Sequence, residues 1–259
     1  MRTFLFLFFL LFTITVAGQK NGAKNNREYL VIRVYHAADT IQLAAIDHYL
    51  QASLLPTLNQ NGFSRTGVFQ AVDNDTAKDK RFYVFLPFSS LSQLEKLNDV
   101  IYKTLADTLT ASAYRNALYN APPYSRMESI LLQAFEGMPQ VKSSSVKGDI
   151  QERVYELRSY ESATEALHQN KVRMFNLGEI DLFQRLGFKA VFYGQVIAGS
   201  QMPNLMYMTS FDNKTSRDDH WRMFGNDPNW KTMSAKPEYQ HNVSKITITF
   251  LRPTSYSKL

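Results

Sequence analysis

Short β-prone apolar runs and apolar stripes at helical spacing succeed one another along this chain, and the whole succession occurs twice. In the first pass Glu28 to Tyr35 is a continuous β-prone run. Ile46, Leu50, Leu54 and Leu58 then recur at steps of four, which puts one apolar stripe on one helix face. Gly62 and Phe63 end that helix, and Thr66 to Val72 reads as a second strand. The polar stretch Asp73 to Lys80 leads to Phe82, Val84, Leu86 and Phe88, alternating as in a strand. Ser92 and Glu95 have capping-box spacing ahead of Leu94, Leu97, Ile101 and Leu105, which predicts a second helix running until Pro122 and Pro123. Ile130 to Phe135 supplies a fourth strand.

The second pass gives Val154 to Tyr160, a helix bearing Phe175, Leu182 and Leu186, then Ala190 to Ile197, Leu205 to Phe211, a short helix around Trp221 and Phe224, and Ile246 to Leu251. An offset of 125 positions superposes Arg33 on Arg158, Tyr35 on Tyr160, Gly62 on Gly187 and Phe63 on Phe188, and an offset of 123 brings Phe88 onto Phe211. Each half is thus a βαββαβ unit of the split βαβ, ferredoxin-like kind. Such a sheet carries helices on one face and needs cover on the other, and the second copy is the economical cover. The predicted class is α+β: two tandem repeats packed sheet to sheet as an intrachain dimeric α+β barrel. The N-terminal repeat spans residues 28–135 and the C-terminal repeat 150–259. Residues 136–149 have three consecutive serines, Gly137, Pro139 and Gly148 without apolar periodicity, and read as a linker.

Arg2 precedes an uncharged apolar run from Phe4 to Ala17, and Val16, Ala17 and Gly18 offer small residues for cleavage before Gln19. This reads as a signal peptide over residues 1–18, with export to a periplasm or to the medium, as for a bacterial product. The run is shorter than the roughly 17 to 25 residues a spanning helix needs, and no other stretch qualifies. The chain has no cysteine, which excludes disulfides, thiolate metal sites and Cys nucleophiles. Without the leader the formal charge falls from +6 to +5, since only Arg2 is lost. The charge is dispersed, so nothing points to nucleic acid. His36, His48, His168, His220 and His241 lack ligand spacing, and Asp73, Asp75 and Asp79 lack the glycine and glutamate of a calcium loop, so no metal is expected. Phosphate loops, dinucleotide fingerprints and nucleophile elbows are missing from the sequence, and no cofactor is expected.

The stretches Val154 to Tyr160, Leu186 to Phe188, Trp221 to Trp230 and Leu251 to Ser257 together resemble a NIPSNAP domain, over residues 153–259. Residues 28–135 resemble it only in outline, keeping Arg33, Tyr35 and Gly62-Phe63 but lacking the Trp-rich Asp-Pro segment. The resemblance implies a ferredoxin-like, dimeric α+β barrel and, for many bacterial members, no established activity.

Strand side chains alternate between faces. Leu30, Ile32 and Val34 in the first half, and Tyr155, Leu157 and Ser159 in the second, form faces expected against the helices. Arg33, Tyr35, Glu156, Arg158 and Tyr160 would then line the space between the sheets, where a buried guanidinium needs an acceptor. Glu156 has no counterpart in the first half, so this chamber would attract a carboxylate or phosphate; the alternative is an internal Arg–Glu bridge. His220, Trp221 and Trp230 are further candidates for stacking a flat ligand, against plain helix packing. Tyr124 and Arg126 are expected at the rim. Two readings follow. In one, the barrel binds a small anionic or aromatic ligand, or a partner, without catalysis. In the other it is an enzyme, by fold analogy a cofactor-independent monooxygenase or a haem-related catalyst using the barrel pocket with His220 or Tyr160 as base. That reading needs an interior cavity of about 300 Å³ or more. A homo-oligomer assembled through exposed sheet edges is a third outcome.

Overall fold

The computed structural model describes residues 27–107 and 114–259; the expected leader and part of the stretch before Pro122 lie outside them. The first repeat runs β1 (Tyr29–Ala37), α1 (Thr40–Tyr49), a π-helical turn (Leu50–Leu54), α2 (Leu55–Gln60), β2 (Gly67–Ala71), β3 (Lys80–Phe88), α3 (Ser92–Asp107) and β4 (Arg126–Ala134). The second runs β5 (Val154–Glu161), α4 (Glu165–Met174), a π-helical turn (Phe175–Glu179), α5 (Ile180–Arg185), β6 (Lys189–Ala198), β7 (Asn204–Phe211), α6 (Lys214–Asn226), α7 (Pro228–Ser234) and β8 (Lys245–Pro253).

The duplication reaches into local detail. Asp39 caps α1 by accepting from the Gln42 N–H, and Thr164, 125 positions on, caps α4 by accepting from the Leu167 N–H. Gly62 at φ 90° and Gly187 at φ 84° end the two helices in the left-handed region. Beside them the Phe63 N–H reaches the Leu58 carbonyl at 2.9 Å and the Phe188 N–H the Phe183 carbonyl at 3.0 Å, the 6→1 bond of a Schellman stop. The two π turns also lie 125 positions apart. Their i→i+5 pattern has a physical use: a stripe at steps of four drifts by about 40° per step on an ideal α-helix. The wider turn takes up part of that drift, and Ile46, Leu50, Leu54 and Leu58 are all 0% exposed.

The strands close into one antiparallel barrel in the order β1-β3-β2-β8-β5-β7-β6-β4. The repeats therefore do more than stack. β2 pairs with β8 (Gln70 opposite Arg252) and β4 with β6 (Gln133 opposite Gln195), so hydrogen bonds cross between repeats twice. Closure is made by short pairings, residues 69–71 with 251–253 and 131–134 with 194–198, so the two repeats are joined along only part of their edge strands.

Three apolar layers result. Leu30, Ile32 and Val34 meet Tyr155, Leu157, Phe69, Phe85 and Phe192 inside the barrel. Val31 and Tyr35 pack instead with Leu50, Leu54 and Leu97 under the first pair of helices, and Tyr160 packs with Phe175, Phe183 and Phe224 under the second. The expected faces are thus reversed: the apolar triplets point into the lumen, and the strand face carrying Arg33, Tyr35, Glu156, Arg158 and Tyr160 lies beneath the helices. Both faces of these strands are buried. The narrow lumen excludes charge, whereas the helix-covered face opens to solvent at its margins and admits a guanidinium.

Residues 136–149 form a strap across the barrel. The Glu28 N–H donates to the Pro139 carbonyl at 2.7 Å, the Lys142 N–H to Val191 at 2.8 Å, and the Lys147 N–H to Asp212 Oδ1 at 2.8 Å. Val141 and Val146 from the strap, with Leu259 from the C-terminal segment, join the lumen cluster and stopper one end of the barrel. Among the described residues no helix is long and apolar enough to cross a membrane.

Candidate functional site

Four of the residues singled out in the sequence meet in one network. Glu156, 0% exposed, accepts from Arg158 Nε at 2.7 Å, from Arg217 Nε and Nη2 at 2.8 and 2.7 Å, and from Trp221 Nε1 at 2.7 Å. Arg158 lies over the Trp221 ring at 3.7 Å and donates to the Tyr160 hydroxyl at 3.1 Å, which in turn bonds Tyr207 at 2.8 Å. Burial alone would push the Glu156 carboxyl up. The hydrogen bonds from Arg217 and the charge of Arg158 outweigh burial and hold it below the usual carboxylate range. Every strong group in the network has a protein partner. This is the internal bridge that was the alternative to an anion chamber, moved from the barrel interior to the space under α6. Arg217 and Tyr207 complete it.

The first repeat lacks the carboxylate. Arg33 sits among Tyr35, Tyr49, Tyr114 and Tyr124, with Tyr49 stacked on Tyr114 at 4.0 Å and Tyr124 edge-on to Tyr35 at 6.4 Å. Arg33 hydrogen-bonds Tyr35, whose hydroxyl burial pushes upward despite that neighbouring charge. Tyr124 therefore belongs to this aromatic box; Arg126 does reach the barrel rim. Trp230 packs on Phe224 at 4.4 Å, with Lys171 5.7 Å from its ring centre. Arg33 and Arg158 thus lie under separate helical layers and do not share a chamber.

His220 occupies a different place. It lines the smaller lobe of a groove formed by the strap, the start of β6, and α5 and α6. The larger lobe, of about 320 Å³, is walled by Met138, Ile180, Phe188 and Tyr193 and carries Lys142 and Lys189. The smaller, of about 180 Å³, adds Lys147, Asp212 and His220 and shares Ser145 and Lys189 with the first. Asp212 Oδ1 accepts from the backbone N–H groups of Lys147 and Gly148, which lowers its pKa, and Lys189 adds to the effect. Three lysines therefore face one carboxylate that is already engaged. His220 rests edge-on against Phe188 and Phe211. Its Nδ1 lies 2.6 Å from the Ser216 carbonyl, so Nδ1 carries the proton and, in the neutral ring, Nε2 is left as the acceptor. The sequence pointed to His220 through its neighbours on α6. It did not point to Lys142, Lys147 or Lys189, which only the path of the strap brings together.

A closed eight-stranded barrel built from two ferredoxin-like repeats, with helices outside, defines the dimeric α+β barrel class, here completed within one chain. Residues 155–258 match the NIPSNAP family, so the C-terminal repeat is similar to that family. The fold is similar over both repeats to a candidate monooxygenase from Lactobacillus acidophilus NCFM, at TM-score 0.55 and 12% identity, covering 88% of this chain and 94% of that one. A candidate monooxygenase from Fusobacterium nucleatum subsp. nucleatum gives TM-score 0.57 and 8% identity over 88% and 92% of the two chains. An anthrone oxidase-like protein gives 0.50 and 10% over 90% and 95%. At these identities the likeness is one of fold. No curated protein matches the chain.

Proposed function

We propose that this chain is an exported NIPSNAP-family protein that binds a small ligand with a flat apolar body and an anionic group, and carries out no reaction on it. The observation that carries this reading is the two-lobed groove: aromatic and aliphatic walls beside Lys142, Lys147 and Lys189, with Asp212 the single carboxylate, already held by two backbone N–H groups. The larger lobe is of ligand-pocket size, and its mix of apolar wall and a few converging charges is the usual make-up of a small-molecule site. Exposed lysines beside an apolar wall attract a carboxylate, sulfonate or phosphate without demanding bidentate geometry. Export rests on the leader-like first 18 residues.

The probe is 1-anilinonaphthalene-8-sulfonate, an aromatic anion. Its fluorescence should rise with the folded protein in saturable fashion, and the double variant Lys142→Glu, Lys189→Glu should weaken it at least tenfold at unchanged melting temperature. Equal affinity in the two proteins would overturn the reading.

A second reading keeps the groove and adds chemistry. The imidazole tautomer held by Ser216 leaves His220 Nε2 as a proton acceptor in the smaller lobe, where a base acting on a phenol or enol would stand. The expected cofactor-independent oxygenation would then take place in this groove, since the lumen is filled with side chains. Oxygen uptake on adding an electron-rich phenol, lost in His220→Ala, would favour it; uptake no greater than the protein-free control would end it.

A further inference from the structure

The barrel is stoppered at one end only. At the other, where β1 and β5 finish, the lumen opens into a cavity of about 220 Å³. All its strand-borne lining follows the inward-facing alternation of the barrel strands, so it is the mouth of the lumen and separate from the groove under the helices. The two repeats meet there in matched pairs. Val34 faces the cavity with Ser159, 125 positions on, and Tyr83 with Met206, 123 positions on. Glu128 and Thr247 form a third pair, each set by its pairing with the first strand of its repeat (Val34 opposite Glu128, Ser159 opposite Thr247). The mouth therefore sits on the pseudo-twofold axis, and both copies of the duplicated unit contribute equivalent positions to it.

Those positions have diverged in charge. The first repeat supplies two arginines and three carboxylates, with His36 between two of the carboxylates. Arg126 pairs with Glu128 at 2.7 Å, His36 reaches Glu128 at 3.2 Å and Asp79 at 2.8 Å, and Arg81 pairs with Asp73 at 3.3 Å and stands 3.9 Å from Asp79. The second repeat supplies only neutral polar groups, Ser159, Thr247, Thr249 and Gln201. Below the rim the wall is apolar: Val34, Ile130, Leu157 and Met206 belong to the lumen cluster.

From this lining we propose that the barrel mouth is a binding site for a small zwitterion with an apolar tail, of the class of free aliphatic α-amino acids. His36 is buried, whereas the arginines and carboxylates lining the rim keep some exposure, from Arg81 at 23% of its side chain to Arg126 at 64%, so these can take a further partner. A simple carboxylate drawn to either arginine comes up against Asp79 or Glu128. A simple amine drawn to those carboxylates comes up against Arg81 or Arg126. A molecule carrying both charges on adjacent atoms satisfies both, and its side chain replaces water over the apolar wall. The volume limits the ligand to a size below that of ordinary drug-sized occupants.

Isothermal titration of the full mature chain with L-leucine, 4-methylpentanoate and isoamylamine is the test. Leucine should bind saturably, and each singly charged analogue should bind at least tenfold more weakly. Glu128→Gln should weaken leucine about tenfold, and Thr247→Trp, at an exposed rim position, should block it, whereas Lys142→Glu in the groove should leave it unchanged. That last arm separates this site from the groove proposed above. Absence of leucine heat, equal affinity for the carboxylate analogue, or full binding by Thr247→Trp would each overturn the assignment.

Discussion

Replacing Glu156 by Gln removes one negative charge while keeping shape and volume. It leaves Arg158 and Arg217, with side chains 11% and 16% exposed, facing an amide that offers one acceptor and two competing donors. Breaking a buried ion pair from one side costs about 3–5 kcal/mol. Both guanidinium groups retain some water, and Arg158 keeps its stack on Trp221 at 3.7 Å, so the lower end, about 3 kcal/mol, is expected. In a chain of this size each kcal/mol moves the melting temperature by about 2–4 °C, giving a fall of roughly 6–12 °C by circular dichroism at pH 7. Replacing the whole triad, Glu156→Leu with Arg158→Met and Arg217→Met, should recover most of that loss, because well-packed apolar groups match a buried triad in net stability. A fall below about 2 °C in Glu156→Gln would refute the claim that this cluster is closed on itself, and would return Arg158 to the ligand-site candidates.

The same carboxylate sets an acid limit. Its folded pKa lies below the unfolded value of about 4.3, so its contribution is complete above that pH and is lost as the pH falls through the folded value; melting curves between pH 5 and 3 should drop more steeply for the wild type than for Glu156→Gln. At the stoppered end Leu259, 8% exposed and packed in the lumen cluster, should lose about 2 kcal/mol on truncation to Ala, read as a lower urea midpoint at unchanged slope. An unchanged midpoint would mean that the C-terminal segment does not seal the barrel.

The architecture was readable from the chain because the repeat repeats its punctuation. The Gly-Phe stops at 62–63 and 187–188 and the Phe88 and Phe211 strand ends all fall where the offsets put them. The orientation of the first strands was not readable. Sequence alternation says that Arg33 and Leu30 face opposite ways, but not which way is in, when both faces are buried and each has an apolar claim. The groove was hidden for another reason. Lys142 and Lys147 lie in a segment without periodicity, and only the backbone bonds from Lys142 to Val191 and from Lys147 to Asp212 bring them beside Lys189. His220 was found because aromatic neighbours on α6 drew attention to it.

The paired π turns at Leu50–Leu54 and Phe175–Glu179 show how far two copies of one plan can diverge while keeping a frame. Both interrupt their helix at the same offset, yet the second kinks at Gly178, which leaves helical geometry, while the first stays regular. The same latitude separates the two arginine clusters: one carries a carboxylate beside its arginine, and the other surrounds its arginine with tyrosines.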